Sequence, residues 1–142
     1  MTQLSKSFSL QEFATNDRAG TPVPPHLVAN VTDLAVGVLQ PIRDEWTSPL
    51  LVVSGYRTLV WNTAVGGAKA STHLTAEGAD IRPVYLRDVD RLHELILSMH
   101  TRGLLPMLGG LGSYPRWVHV DIRRLASGRL RRWAGEGTGS EP

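Results

Sequence analysis

Residues 71–80 have the sequence Ser-Thr-His-Leu-Thr-Ala-Glu-Gly-Ala-Asp, and residues 117–121 have the sequence Trp-Val-His-Val-Asp. In these two stretches His73 and His119 each offer an imidazole nitrogen, and Asp80 offers a carboxylate oxygen. Two nitrogen donors and one oxygen donor form the mixed ligand set that Zn²⁺ prefers in proteins. Three protein ligands leave a fourth position open, as in catalytic zinc sites. We therefore expect the chain to be organised around a metal centre.

Three segments around these residues have the pattern of β-strands. Residues 50–53 are a continuous apolar run, which is typical of a buried strand. A second strand is predicted to start at residues 78–81. Residues 116–122 alternate between apolar side chains and polar or aromatic ones, as in a half-buried strand. This alternation directs His119 and Asp121 to the same face of the strand.

Helical patterns and shorter segments account for the remaining secondary structure. Apolar residues at three- and four-residue spacing predict a helix over residues 25–46, in which Pro41 should cause a kink or a break. A second helix is expected from the N-cap residue Asp88 to about residue 102. Residues 59–70 predict a short helix followed by a loop, and residues 108–111 predict a short strand.

Length and composition indicate one domain. The chain has 142 residues, of which 42% are hydrophobic, and this is enough for a single core. We expect the domain to cover residues 1–134 and a flexible tail to cover residues 135–142, whose low-complexity sequence cannot bury a core. Cysteine is absent, so a metal site would have to use histidine and carboxylate ligands.

The excess of positive charge lies late in the chain. The formal net charge is +2 and the pI is about 9.4. The arginines that carry the excess are Arg123, Arg124, Arg129, Arg131 and Arg132. Such a cluster can bind nucleic acid, an anionic cell-wall polymer or a membrane surface, and a solvated cationic tail is the simpler alternative. A nucleic-acid-binding function, with a steep salt dependence, therefore stays open.

A series of motifs, taken together, carries a resemblance to a known family. The motifs are Ser54-Gly-Tyr-Arg57, Asn62, Ser71-x-His73-x-x-x-x-Gly78-x-Asp80-Ile81 and Trp117-Val-His119-Val-Asp121. In this series the chain resembles the zinc D-alanyl-D-alanine metallopeptidases, whose fold is shared by lysostaphin-type peptidases and the hedgehog signalling domain. The runs at residues 109–115 and 129–133 most resemble the murein endopeptidase branch of the family and phage endolysins.

The resemblance implies an α+β fold, with a small antiparallel β-sheet flanked by helices, and a zinc-dependent peptidase that acts on bacterial peptidoglycan peptides. His73, Asp80 and His119 match the family's metal ligands, so one Zn²⁺ is expected. Arg57 matches an arginine that contacts the substrate carboxylate or the polarised carbonyl, a task that suits a guanidinium group. Ser71 matches a serine that hydrogen-bonds the substrate or braces the loop.

The resemblance leaves the general base open. Several relatives have Glu, Asp or His three residues before the last metal ligand, where this chain has Arg116, which cannot accept a proton. Asp121 is the best substitute by position, acting on metal-activated water. Its alternative role is to accept a hydrogen bond from a ligand imidazole and fix the tautomer of that ring. Glu77 lies inside the motif, and we expect it to face solvent.

Aromatic residues flank the predicted centre. Tyr114 and Trp117 either line the substrate groove or belong to the core, and both possibilities stay open. Aromatic residues next to a sheet more often pack than bind, which favours the core for Tyr114 and Trp117 without deciding it. Trp133 is predicted to serve in packing.

Other functional questions also stay open. A non-catalytic zinc-containing cell-wall-binding module of the same fold is the main alternative, and Arg116 is the residue that favours it. The sequence does not distinguish a carboxypeptidase from an endopeptidase. No apolar run reaches the ~20 residues that cross a bilayer, and the N-terminus lacks the apolar centre of a secretory signal. We therefore expect the protein to reach the cell wall as a phage lytic or virion protein, or by another export route. We also expect a monomer.

Overall fold

The computed structural model describes residues 2–136 and contains one five-stranded β-sheet. Its strands are Leu50–Ser54 (β1), Gly78–Pro83 (β2), Gly110–Ser113 (β3), Val118–Asp121 (β4) and Arg131–Ala134 (β5). The order across the sheet is β1-β2-β4-β3-β5. The pairs β1 with β2, β2 with β4 and β3 with β4 are antiparallel, whereas β5 runs parallel to β3. The sheet is therefore mostly antiparallel, with one parallel pair that the sequence analysis did not predict.

Helices complete the predicted α+β fold, which is confirmed. The α-helices are Val28–Leu34 (α1), Gln40–Trp46 (α2), Leu59–Ala64 (α3) and Val89–Thr101 (α4). Short 3₁₀ turns occur at Leu10–Phe13, Pro25–Leu27, Thr72–Thr75 and Leu86–Asp88. None of the helices within residues 2–136 has both the length and the apolar character needed to cross a bilayer.

The helix around Pro41 differs from the prediction. Helices α1 and α2 are joined without a break by a π-helical segment, Ala35–Leu39, in which the Gln40 N–H donates to the Ala35 carbonyl. Proline lacks an N–H, and in an α-helix its ring would clash with the carbonyl four residues earlier. The wider π turn lets the backbone accommodate the proline. Of the two alternatives expected at Pro41, a break is therefore wrong, and the helix instead changes to π-helical pitch just before the proline.

Two strand predictions need correction. Strand β1 lies at the edge of the sheet, and Leu51 is 41% exposed, so this strand is not buried as predicted. Strand β4 lies inside the sheet and all four of its residues are buried, so it is not half-buried. The alternation in β4 still separates the two faces, because His119 and Asp121 share one face and the valines share the other.

The main core lies between the valine-bearing face of the sheet and the long helices. Residues of β2, β3 and β4 meet residues of the helical segments there, all of them fully buried, and they include Ile81, Leu111, Val118, Val120, Val38, Ile42, Leu92 and Ile96. Helix α4 begins after Asp88 as predicted, but the Asp88 carboxylate accepts a hydrogen bond from Arg91 instead of capping the helix. With one face of the sheet packed in this way, the opposite face carries the polar residues of interest.

The C-terminal end of the described chain belongs to the sheet. Strand β5 continues to Ala134, and the Gly135 N–H donates to the Ser113 carbonyl at 2.9 Å. Of the tail predicted over residues 135–142, positions 137–142 lie outside the described residues.

Candidate metal centre

The polar face of the sheet carries a row of side chains that crosses all five strands. Ser54 pairs with Asp80, Asp80 with His119, His119 with Gly112, and Gly112 with Trp133. Because residues that pair in register project to the same face of a sheet, the Asp80 and His119 side chains are immediate neighbours. The antiparallel pairing of β2 with β4 thus brings together two of the three predicted metal donors.

A short turn supplies the third donor. His73 lies on the 3₁₀ turn Thr72–Thr75, whose N-cap residue Ser71 accepts a hydrogen bond from the His73 N–H at 3.1 Å. The Arg57 N–H donates to the His73 carbonyl at 3.0 Å. Ser71 is 1% exposed, and its hydroxyl is engaged within the turn. These contacts support the bracing role of Ser71 over a contact with substrate.

The three donors converge in a buried cluster. Their candidate ligand atoms all lie within 4.8 Å of one another. Asp80 Oδ1 is 3.4 Å from His73 Nε2 and 2.9 Å from His119 Nδ1. The side chains of the three residues are at most 6% exposed. The arrangement can hold one metal ion between a carboxylate oxygen and two imidazole nitrogens.

The hydrogen bonds behind the two rings fit such an ion. His73 Nδ1 lies 2.7 Å from the Gly55 carbonyl, which can only accept, so Nδ1 carries the proton and Nε2 keeps a lone pair. His119 Nε2 lies 2.9 Å from Asp121 Oδ2, so a proton on Nε2 leaves the Nδ1 lone pair facing Asp80. Two lone pairs and an anionic oxygen directed at one point form a typical cation site.

The second oxygen of Asp80 contacts an arginine. Arg57 Nη2 lies 3.4 Å from Asp80 Oδ2, while other nitrogens of the guanidinium contact Ser54 Oγ and Asn62 Oδ1, each at 3.2 Å. Burial raises the pKa of the Asp80 carboxyl, but in the metal-free protein, where protons on the ring nitrogens take the place of the ion, the attraction of His73 and the hydrogen bonds that both rings donate outweigh burial, so the pKa lies below its usual range. Asp80 is therefore ionised at neutral pH, as a metal ligand must be.

Asp121 lies behind His119 with both of its oxygens engaged. Oδ2 accepts from His119 Nε2, and Oδ1 accepts from Arg131 Nη2 at 2.5 Å and from the Arg123 N–H at 3.0 Å. Burial raises the pKa of Asp121, but the hydrogen bonds from His119 and Arg131 and the attraction of both residues outweigh burial. The pKa of Asp121 therefore lies below its usual range. Asp121 is 0% exposed. These contacts favour the bracing alternative over general-base catalysis, which works best with a pKa near the operating pH.

Sequence reasoning missed the contacts that two residues of strand β5 make with the site. Arg131 contacts Asp121, and the Trp133 ring lies 5.2 Å from the His119 ring, centroid to centroid. Both contacts need glycine on the intervening strand β3. A Cβ atom on Gly110 would lie 2.3 Å from Asp121 Oδ2, and one on Gly112 would lie 2.7 Å from the Trp133 ring. The glycines of β3 together with the period-two spacing of Arg131 and Trp133 were the signal available in the sequence.

The aromatic residues form a stacked group beside the centre. Tyr114 and Trp117 stack with their ring centroids 5.1 Å apart, and Trp133 Nε1 donates to the Tyr114 hydroxyl at 2.9 Å. Tyr114 is 4% exposed and therefore belongs to the packed interior, whereas Trp117 is half-buried. Trp133 packs as predicted, and it packs against a candidate metal donor.

Two other residues considered in the sequence analysis, Glu77 and Arg116, do not belong to the donor cluster. Glu77 is partly buried and accepts a hydrogen bond from Arg123 Nη2 at 2.9 Å, so the expectation that it simply faces solvent is wrong.

Arg123 and Arg131 are thus held in ion pairs within the fold, which removes two of the five late arginines from the predicted cationic cluster. Arg116 is exposed just before β4.

Comparison with known proteins gave one family match. The sequence model of the family described as Peptidase M15 matches residues 6–121. A search of curated proteins gave no match. The matched segment contains the three converging donors and ends at Asp121, whereas strand β5 follows it.

Proposed function

The chain belongs to the Peptidase M15 family of zinc metallopeptidases, and from this premise we propose that it hydrolyses amide bonds in the peptides of bacterial peptidoglycan. This family membership agrees with the predicted resemblance to the zinc D-alanyl-D-alanine peptidases. The observation that carries the proposal is the convergence of His73, Asp80 and His119 on one point of the polar sheet face. We assign these three side chains as the zinc ligands.

The protein supplies a pre-organised donor set. The Gly55 carbonyl fixes the proton of His73 on Nδ1, so that Nε2 is free to bind the metal. Asp121 fixes the proton of His119 on Nε2 in the same way. Zinc, when bound, acts as a Lewis acid that polarises a carbonyl and activates water near neutral pH. Because the ligand atoms are already in place, little reorganisation is needed when the ion binds.

Charged residues behind the ligands hold this arrangement in place. We assign Asp121 as a positioning residue that orients His119, and Arg131 as the residue that orients Asp121. Arg57 is 4% exposed and contacts Asp80, which supports a role in holding that ligand. Substrate contact by Arg57, as the family pattern implies, would require the substrate to reach the floor of the site.

The proposed substrate determines where the protein acts. Peptidoglycan lies outside the cytoplasm, so we propose that the protein works at the cell wall as a phage lytic or virion protein, or after export by another route. All three proposed ligands come from one chain, and a monomer is sufficient for the site.

Digestion of purified peptidoglycan, followed by mass spectrometry of the products, tests this function. We expect zinc-loaded protein to release peptide fragments, and a chelator to abolish their release. His119→Ala should be inactive under the same conditions, whereas His26→Ala, which changes an exposed histidine of a 3₁₀ turn, should be active. Loss of a terminal D-alanine would identify a carboxypeptidase, and cleavage of a crosslink or stem bond would identify an endopeptidase. Release that continues unchanged in the chelator would contradict the proposal.

A further inference from the structure

A groove beside the three metal donors carries positive charge that the metal site does not use. A cavity of about 440 Å³ is lined by Val53, Arg82, Leu86, Arg116 and Trp117. Its volume is within the range of small-ligand sites. We refer to this feature as the arginine groove.

The register of the sheet places the arginine groove next to the metal centre. Asp80 pairs with His119, and Ile81 pairs with Val118. One further step along these antiparallel strands brings Arg82 opposite Trp117. Because side chains alternate along a strand, Arg82 and Trp117 lie on the same face of the sheet as Asp80 and His119. A strand rises ~3.3 Å per residue, so the two pairs are about 7 Å apart. That distance equals about two residues of an extended peptide.

Among residues 2–136, the two arginines of the groove have no acidic partner. Arg82 Nη1 donates to the Pro83 carbonyl at 3.1 Å and to the Val84 carbonyl at 3.3 Å, which holds the guanidinium in place. Within residues 2–136, no carboxylate forms an ion pair with Arg82 or Arg116. Arginines elsewhere in the polar face are neutralised, as Arg57 is by Asp80 and Arg131 by Asp121. The groove therefore keeps its positive charge.

We propose that the arginine groove binds a carboxylate that the peptide substrate carries about two residues from the scissile bond. A guanidinium binds a carboxylate through paired, charge-assisted hydrogen bonds. Val53, Leu86 and the indole of Trp117 provide apolar walls for the aliphatic part of such a side chain. This inference rests on the proposed function, and it identifies the preferred substrate as an acidic peptide.

Two synthetic stem peptides test the arginine groove. They differ only in whether the carboxylates near the scissile bond are free or amidated. Both kcat/KM for hydrolysis and the Kd for binding to zinc-loaded protein are measured, the latter by calorimetry. The variants are Arg82→Gln and Arg116→Gln, and the control is Arg43→Gln, which removes the same charge from α2 on the opposite side of the sheet.

The wild type should prefer the free-acid peptide. Each groove variant should lose about tenfold in kcat/KM on that peptide, mainly through KM, as expected for one charge-assisted hydrogen bond. The amidated peptide should be unaffected, and Arg43→Gln should match the wild type. Equal affinity of the wild type for the two peptides would overturn the groove. It would also be overturned if the groove variants preferred the free-acid peptide as strongly as the wild type does. Binding without hydrolysis separates the two proposals, because charge-selective binding would support the groove even if no bond is cut.

Discussion

Asp121 Oδ2 lies 2.9 Å from Nε2 of His119, and the Nδ1 atom of the same ring lies 2.9 Å from Asp80 Oδ1. The imidazole therefore bridges two carboxylates, one of which is a candidate metal ligand and the other of which lies behind the ring. A metal ion between His119 and Asp80 would take the place of a proton on Nδ1, while Asp121 keeps the proton on Nε2. This relationship separates the two roles that the sequence left open for Asp121.

Asp121→Asn tests those roles. The amide oxygen can still accept from His119, but the negative charge that strengthens the hydrogen bond is lost. We expect zinc affinity to fall by about tenfold or more, as is usual when the partner of a ligand histidine is changed. Affinity is measured by competition with a chromogenic chelator. A variant that binds zinc as tightly as the wild type but has lost turnover would instead show that Asp121 is the general base.

Arg131→Gln tests whether strand β5 supports the centre. Removing the guanidinium leaves the buried Asp121 carboxylate without its ion pair, and we expect the free energy of unfolding to fall by about 2 kcal/mol. Zinc affinity should also fall, because Asp121 is then held less firmly. Urea denaturation and chelator competition measure the two effects. Arg129→Gln is the matched control, since Arg129 is exposed and lies outside the strand. Equal behaviour of the two variants would contradict the role of Arg131.

Gly112→Ala tests the close approach of Trp133. The added methyl group would lie 2.7 Å from the indole, so Trp133 must move away from His119. We expect a loss of about 1–3 kcal/mol in the free energy of unfolding, the usual cost of an extra group in a packed site. The fluorescence of Trp133 should change as well. Ser113→Ala on the same strand should have little effect, and a stable Gly112→Ala protein with an unchanged spectrum would refute the contact.

The acid stability of the metal-free protein should depend on Asp121. Its pKa in the folded protein lies below the ordinary value of 3.8, so the unfolded chain binds more protons than the folded one as the pH falls through this range. The stabilisation is then complete above about pH 5 and is lost as the pH falls through ~3.9 toward the folded-state pKa. We expect the Tm of chelator-treated wild type to fall more steeply below pH 5 than that of Asp121→Asn. Parallel curves would show that Asp121 is not stabilised in its ionised form.

The metal donors could be predicted from the sequence because their residue types and the motifs around them resemble those of the zinc D-alanyl-D-alanine metallopeptidases. His119 and Asp121 share a face of one strand, and the period-two pattern of that strand shows this directly. The short segment between His73 and Asp80 likewise has room for one turn followed by one strand. Residue type and the motif resemblance were therefore enough to identify the donors, whereas the pairing of β2 with β4 that brings Asp80 to His119 was not predicted.

The exposure of β1, the contacts of β5 and the role of Asp121 depend on which strands pair, and local sequence patterns do not encode strand pairing. The apolar run of β1 has the composition of a central strand, yet its position at the sheet edge leaves Leu51 exposed. Strand β5 is short and arginine-rich, and only its parallel pairing with β3 brings Arg131 to Asp121. The role of Asp121 also depended on this pairing, because the strand pattern showed the direction of its side chain but not its partners.

Zinc stoichiometry measured on the purified protein tests the proposed centre most directly. Equilibrium dialysis followed by elemental analysis should give one zinc ion per chain for the wild type and for the His26→Ala control. His73→Ala, Asp80→Ala and His119→Ala should each remain folded by circular dichroism and bind zinc at least a hundredfold more weakly. A wild-type protein that binds no zinc, or three variants that all bind it like the wild type, would contradict the assignment of these residues as the metal ligands.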